Sequence, residues 1–246
     1  MKADPKIQQR LLDLQAHDAA LARLEHRRRT LPELTVITEA DTRLAGLRDD
    51  LVRAETEVGD LDRELRRLEG DVEQVRQRSQ RDQQRMQSGS VAAKELESLQ
   101  HEVESLARRQ SDLEDAELEV MERREDAETR AAAVRSAVES VTASRTAAAE
   151  ARDAAYEQIA AEAATDTGAR ATIATELPAD LLALYEKVRA VSGGVGAAEL
   201  RARRCEGCRL ELAGGELRAA RAAAPDEVLR CENCRRILVR TAESGL

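Results

Sequence analysis

From Leu44 onward the apolar residues of this chain fall at alternating intervals of three and four, through Leu47, Leu51, Ala54, Val58, Leu61, Leu65, Leu68 and Val72 to Val75. Such spacing keeps one narrow apolar stripe on a helix, and a stripe of that kind is buried only against a partner helix. A second series runs from Ala92 through Leu96, Leu99, Val103, Leu106, Gln110, Leu113, Glu117, Val120, Arg124, Ala127, Ala131, Val134 and Val138 to Val141. Its polar members Gln110, Glu117 and Arg124 weaken the seam in mid-helix and read as tolerated defects, with a role in fixing register as the alternative. Composition agrees with paired helices rather than a large globular core. The chain has no Phe or Trp, only two Tyr, and 35% charged residues.

Between the two series lies Met86-Gln87-Ser88-Gly89-Ser90, where Gly and Ser supply turn conformations. A short connection makes the two helices antiparallel neighbours. Centring the turn near Ser88 sets Val72 near Val103, Leu68 near Leu106 and Leu61 near Leu113. The return helix, from about Val91 to about Ala164, is longer than the arm that starts at Glu33. Pro5 to Arg29, with Ile7, Leu11, Leu14 and Leu21 as its stripe, supplies the missing partner. Pro32 marks a kink or restart, because proline lacks an amide donor and clashes with the preceding turn. Ala131 to Ala164 buries little side-chain area and is expected to be less stable than the leucine seam. Asp166-Thr167-Gly168 is expected to break the helix. Leu177-Pro178 then opens a short helix over Ala179 to Ala190, ended by Ser192-Gly193-Gly194-Val195-Gly196. The expected organisation is a kinked coiled-coil hairpin over residues 1–170, a connecting helix and Gly-rich linker over 171–200, and a small β domain over 201–246.

That last segment holds all four cysteines, as Cys205-Glu206-Gly207-Cys208 and Cys231-Glu232-Asn233-Cys234. Each CxxC turn presents two thiolates on one side of a tight loop, and two facing loops build a tetrahedral S₄ site for one structural Zn²⁺. A redox CxxC would need a βαβ setting that the sequence lacks, whereas iron in an S₄ site shares the same ligands. The gap between the pairs is long for a zinc pattern, with turns at Gly214-Gly215 and Pro225-Asp226. Strands are expected over Glu227 to Arg230 and over Arg236 to Arg240.

Two basic clusters are candidate contacts for a partner or a nucleic acid. Arg203, Arg204, Arg235 and Arg236 flank the cysteines, and together with Arg209 and Arg230 they also suit the screening of a dianionic Zn(Cys)₄ centre. Arg76, Arg78, Arg81 and Arg85, with Lys94 across the turn, lie at the hairpin tip, diluted by Asp82, Glu95 and Glu97. A net charge of −9 argues against nonspecific nucleic-acid binding by the whole chain, and base-stacking aromatics are missing from both clusters. His17, His26 and His101 are expected to be surface side chains with no catalytic partner. No phosphate-binding Gly-rich loop and no apolar span of membrane length appears in the sequence. Paired CxxC turns without a secretory leader favour a cytoplasmic location.

At Lys94-Glu95-Leu96-Glu97-Ser98-Leu99-Gln100-His101-Glu102-Val103, at Leu177-Pro178 with Leu184-Tyr185, and at Cys231-Glu232-Asn233-Cys234-Arg235-Arg236-Ile237-Leu238 the chain resembles a known family. These are bacterial proteins that join a long helical hairpin to a C-terminal C4-type zinc ribbon, and the Ala- and Arg-rich composition is similar to that of actinobacterial members. The resemblance implies a cytoplasmic, non-enzymatic protein that binds Zn²⁺ through Cys205, Cys208, Cys231 and Cys234. Family members have been linked to transcription factors, flagellar gene control and RNA. Where the usual ribbon has Pro and Gly beside its cysteines, this chain has Glu206, Arg209, Glu232 and Arg235. The expected function is an adapter or scaffold that binds protein partners, as a monomer or weak homo-oligomer. A nucleic-acid-binding regulator and a purely structural rod are the alternatives.

Overall fold

The computed structural model describes residues 1–89 and 91–246. Ser90, the last residue of the expected turn, lies outside the described residues. Four helices come first: α1 (Pro5–Arg29), α2 (Pro32–Gln87), α3 (Ala93–Glu176) and α4 (Ala179–Val191). Then follow β1 (Ala197–Arg201), β2 (Arg204–Cys205), α5 (Gly214–Ala222), β3 (Leu229–Arg230) and β4 (Ile237–Arg240). The chain divides into two compact units, one of Thr35–Ala148 and one of Met1–Leu34 with Ala149–Leu246.

The unit of Thr35–Ala148 is the paired-helix hairpin that the heptad spacing dictates. Every expected seam position from Leu44 to Val75 is buried or half-buried, and so is every one from Leu96 to Val141. Leu61, Leu68, Val120 and Ala127 form one buried cluster, with Val58, Leu65 and Leu113 against it. Ala40, Leu44 and Val141 form another, with Leu47 and Val138. One constant register fits both clusters, with Leu44 opposite Val141, Leu47 opposite Val138, Val58 opposite Ala127 and Leu65 opposite Val120.

This register corrects the pairing expected from the turn. Leu68 clusters with Val120 rather than Leu106, and the register as a whole is displaced by about eleven residues along α3. The cause is that an antiparallel seam alternates first-type and second-type heptad positions across each layer, so only alignments seven residues apart are allowed. Centring the turn on Ser88 set like against like. Two of the three polar seam members, Gln110 and Arg124, are tied to charged side chains rather than left as bare defects. Arg124 reaches Asp62 on α2 and Glu128 one turn along (2.9 Å), and Gln110 donates to Glu114 (2.8 Å), which also pairs with Arg76.

In the other unit, α1 starts with Pro5 at its first position, and the Asp4 carboxylate accepts from the Lys6 amide at 2.8 Å. The helix ends at Arg29, and α2 restarts at Pro32, which has no amide to donate into a continuing turn. Leu11 and Leu14 are fully buried with Ala3, Ile173, Leu177, Leu181, Tyr185, Ala197, Ile237 and Val239. Farther along, Leu24 and Leu31 pack on Ile159. Against expectation, α3 continues through Asp166-Thr167-Gly168 to Glu176. An aspartate disrupts a helix when its side chain competes for the backbone, but Asp166 is occupied by the His17 ring, Nδ1 to Oδ1 at 2.8 Å. His17 is therefore half-buried and paired with a carboxylate, not a free surface side chain.

The four strands form one sheet in the order β2-β1-β4-β3, with β1 and β4 parallel and both edge pairs antiparallel. The first residues of the chain join this region. Lys2 bridges Glu227, the Ala3 amide donates to the Asp226 carbonyl (2.7 Å), and the Val228 amide donates to the Met1 carbonyl (3.1 Å). Gln8, buried in α1, donates to the carbonyls of Ala3 (2.9 Å) and Pro225 (3.3 Å).

Candidate metal centre

Cys205 ends β2 and Cys208 lies in the loop after it, while Cys231 and Cys234 lie in the loop between β3 and β4. Because β1 joins β2 to β4 within the sheet, the two loops face each other. The four Sγ atoms lie within 4.8 Å of one another. Cys205 and Cys234 are 3.7 Å apart, and Cys208 and Cys231 are 3.8 Å apart. A tetrahedral ion with Zn–S bonds of about 2.3 Å requires sulfurs about 3.8 Å apart, so the site has the dimensions of a C4-type zinc ribbon. Apolar burial encloses it: Ala198, Leu200, Leu212, Ala220 and Leu238 pack around Cys205 and Cys231.

Burial pushes the Cys205 thiol well up from its ordinary value and raises the Cys231 thiol in the same sense. It acts on Cys234 in the same sense, but hydrogen bonds from the Arg236 amide, Cys231 and the Arg236 side chain outweigh it and bring that thiol down to about 7. A bound divalent ion would offset the desolvation of the other sulfurs, because metal ligation requires the thiolate form.

The long gap between the cysteine pairs contains a helix rather than turns alone. Gly214-Gly215 opens α5, and this helix carries Glu216, whose carboxylate accepts from the Glu232 amide at 2.9 Å. In the first loop the equivalent Glu206 amide donates to the backbone carbonyl of Glu199 at 3.0 Å. Glu216 thus supports the second loop from outside the cysteine motif, and its spacing from Cys231 gave no sequence signal. Gly207 has a steric role: a Cβ there would lie 2.6 Å from Arg236 Cδ and 3.0 Å from Ala198 Cβ.

The arginines singled out by sequence divide into several groups. Arg236 is committed to backbone, donating to the carbonyls of Val195 (3.2 Å), Gly207 (3.0 Å) and Ser192 (2.7 Å). Arg203 donates to Gly245 (3.2 Å) and Arg204 to Arg209 (2.8 Å), while Arg235 is exposed. At the tip, Arg78 pairs with Glu102 and Arg85 with Glu95, each at 2.7 Å. Arg81 donates to the Gln77 carbonyl, and Lys94 is exposed. Local acids therefore neutralise much of the tip's positive charge.

Beside the ribbon, within the same unit, lies a buried polar network that the sequence did not announce. Asp18 on α1 is 1% exposed and accepts from Tyr185 Oη at 2.6 Å and Arg170 Nε at 2.7 Å, with Arg189 at 3.0 Å. The neighbouring Gln15 Oε1 accepts from Tyr185 Oη (3.1 Å) and from the Gly196 amide (2.7 Å). Gly196 must be glycine there, since a Cβ would sit 2.7 Å from the Tyr185 ring. The network fixes the linker that leads into β1.

The chain matches the family model of the CT398-like coiled coil hairpin domain over residues 14–193 and that of the C4-type zinc ribbon domain over residues 204–238. It is similar to Rv2229c of Mycobacterium tuberculosis, with 39% identity over 240 residues that cover 98% of each chain. A solved structure from Mycobacterium smegmatis superposes with a TM-score of 0.85 at 37% identity, covering 98% of this chain and 100% of that one. CT398 from Chlamydia trachomatis shares the fold at a TM-score of 0.67 and 17% identity, over 96% of this chain and 98% of its own.

Proposed function

This chain belongs to the CT398-like coiled-coil hairpin family, and from that premise we propose that it is a non-enzymatic adapter that holds one structural Zn²⁺ and engages protein partners through its hairpin and its ribbon. The observation that carries the reading is the closed quartet of sulfurs. Four thiolates from Cys205, Cys208, Cys231 and Cys234 fill a tetrahedral ion's coordination sphere and leave no position for a substrate or an activated water. The ion's role is then to tie two loops together in a domain with little apolar core.

Two further features support an adapter over the alternatives. The hairpin keeps Val52, Leu118 and Met121 exposed among charged neighbours, which is contact surface suited to a protein. Arg203, Arg204 and Arg236 spend donors on backbone carbonyls, which reduces what is left for phosphate. No helix among the described residues is long and apolar enough to cross a membrane. The test is affinity purification of the tagged full chain from its native cell, with and without a zinc chelator, together with elemental analysis. About one zinc per chain and a protein partner that survives nuclease treatment are expected. Iron in place of zinc, or a captured species lost on nuclease treatment, would defeat the reading.

A further inference from the structure

The two cysteine loops share more than their cysteines. One reads Arg204-Cys205-Glu206-Gly207-Cys208-Arg209 and the other Arg230-Cys231-Glu232-Asn233-Cys234-Arg235, a repeat that differs only at its fourth residue. The backbone repeats as well. The Arg209 amide donates to the Cys205 carbonyl (2.6 Å) and the Arg235 amide to the Cys231 carbonyl (2.9 Å). In return, the Cys205 amide donates to Leu210 and the Cys231 amide to Arg236, both at 3.0 Å. Closing a loop this tightly drives its last residue into the left-handed region, with φ of 61° at Arg209 and 63° at Arg235. Glycine reaches that region freely, whereas any other residue crowds its Cβ against the following carbonyl. Here both positions are arginine, so another group must hold the turn.

That group is the arginine at the front of each loop. Arg204 Nη2 donates to the Arg209 carbonyl at 2.8 Å. Arg230 donates twice to the Arg235 carbonyl, from Nε at 3.1 Å and Nη2 at 3.0 Å. Each guanidinium spans its loop from the residue before the first cysteine to the residue after the second, and fixes the carbonyl that the left-handed residue projects. The close sulfur pairs, Cys205 with Cys234 and Cys208 with Cys231, each join one loop to the other. A loop that opens therefore misplaces ligands on both sides of the site.

We propose that Arg204 and Arg230 are positioning residues of the metal centre, clamping the strained turns at Arg209 and Arg235 so that the four thiolates are preset for the ion. The assignment rests on the zinc reading above. It differs from simple screening of negative charge, because it acts through one carbonyl and becomes dispensable when the turn residue is glycine.

The experiment measures zinc affinity of the full chain by competition with a chromophoric chelator, and the thiolate–metal absorption of the Co²⁺-substituted protein. Arg204→Gln is expected to weaken zinc about fivefold, and Arg230→Gln, which loses two donors, about tenfold. Both should also broaden or shift the Co²⁺ bands. Arg209→Gly alone keeps affinity, and in its background Arg204→Gln costs less than about twofold. Rescue of a poorly folded Arg204→Gln chain by Arg209→Gly supports the clamp equally. A parent chain that binds no zinc removes the zinc reading itself. A parent chain that binds, with Gln variants unaltered or with the full loss persisting in the Arg209→Gly background, overturns the clamp alone.

Discussion

Replacing Asp18 by Asn keeps the shape of a fully buried side chain and removes its charge, which makes it a direct test of how the base of the ribbon is held. In the native protein the carboxylate receives Tyr185 Oη, Arg170 Nε and an Arg189 Nη at 2.6, 2.7 and 3.0 Å. Asparagine offers one acceptor oxygen in place of two and turns an amide donor toward these donors. Breaking a buried ion pair from one side costs about 3–5 kcal/mol. Arg170 and Arg189 are 22% and 34% exposed, so water recovers part of that, and about 3 kcal/mol is the expected loss. Tyr185→Phe removes one hydrogen bond to a charged acceptor, for about 1.5–2 kcal/mol. Because both changes act on the same carboxylate, the double variant should lose at least about 1 kcal/mol less than the sum. Both tyrosines, Tyr156 and Tyr185, lie in the unit of Met1–Leu34 with Ala149–Leu246, and the chain has no Trp. Urea unfolding followed by tyrosine emission therefore reports that unit, and the Asp18→Asn midpoint should fall by about 1–2 M. A fall below about 0.3 M, or strict additivity with Tyr185→Phe, would mean that the Asp18 carboxylate does not hold these donors together.

The register of the hairpin predicts that cysteines placed at Leu65 and Val120, in a chain with its zinc site loaded, crosslink within one molecule, whereas cysteines at Leu68 and Leu106 do not. Efficient closure of the second pair would restore the alignment that the turn alone suggested. A pH dependence follows from Tyr185, whose phenol is pushed well above its ordinary value by burial and then by the hydrogen bond to Asp18. The folded state holds this proton more tightly than the unfolded chain. Its contribution is thus complete below about pH 10 and declines as pH rises further, by up to about 1.4 kcal/mol per unit. Tyr185→Phe should abolish that part of the slope in urea midpoints measured between about pH 9 and 11, and an unchanged slope counts against it.

Period and punctuation in the sequence account for much of this structure. The three–four spacing identifies the seam residues, Pro5 and Pro32 mark where α1 and α2 begin, and two CxxC turns identify the sulfur quartet. The sequence also limited the alignment of the two seams to a set seven residues apart, since only pairings that put Leu44 against the Val141 class of position satisfy an antiparallel seam, but a rule of equal rise from Ser88 ignored that constraint. Other features depend on partners remote in sequence. Asp166 stays helical because His17 takes its carboxylate, and Asp18 is buried because Arg170, Tyr185 and Arg189 arrive from two later helices. Gly214-Gly215 reads locally as a turn, yet Glu216 and Ala220 are buried and hold these residues in a helix. The repeat around the cysteines was present in the sequence, but the left-handed φ of Arg209 and Arg235 was not, because arginine is a residue type that seldom adopts it.

The packing of α1 has a consequence for how the chain is made. A ribosome releases Leu11 and Leu14 early, but Tyr185, Ile237 and Val239, which bury them, are translated far later. At about 5–20 residues per second, roughly ten to fifty seconds separate the emergence of α1 from that of its last partners. The helices of Thr35–Ala148 meet entirely within that interval, since both halves of their seam are translated before residue 149. During this delay α1 carries an uncovered apolar stripe on a nascent chain, which marks it as the segment most exposed to chaperone capture or misassociation on the ribosome.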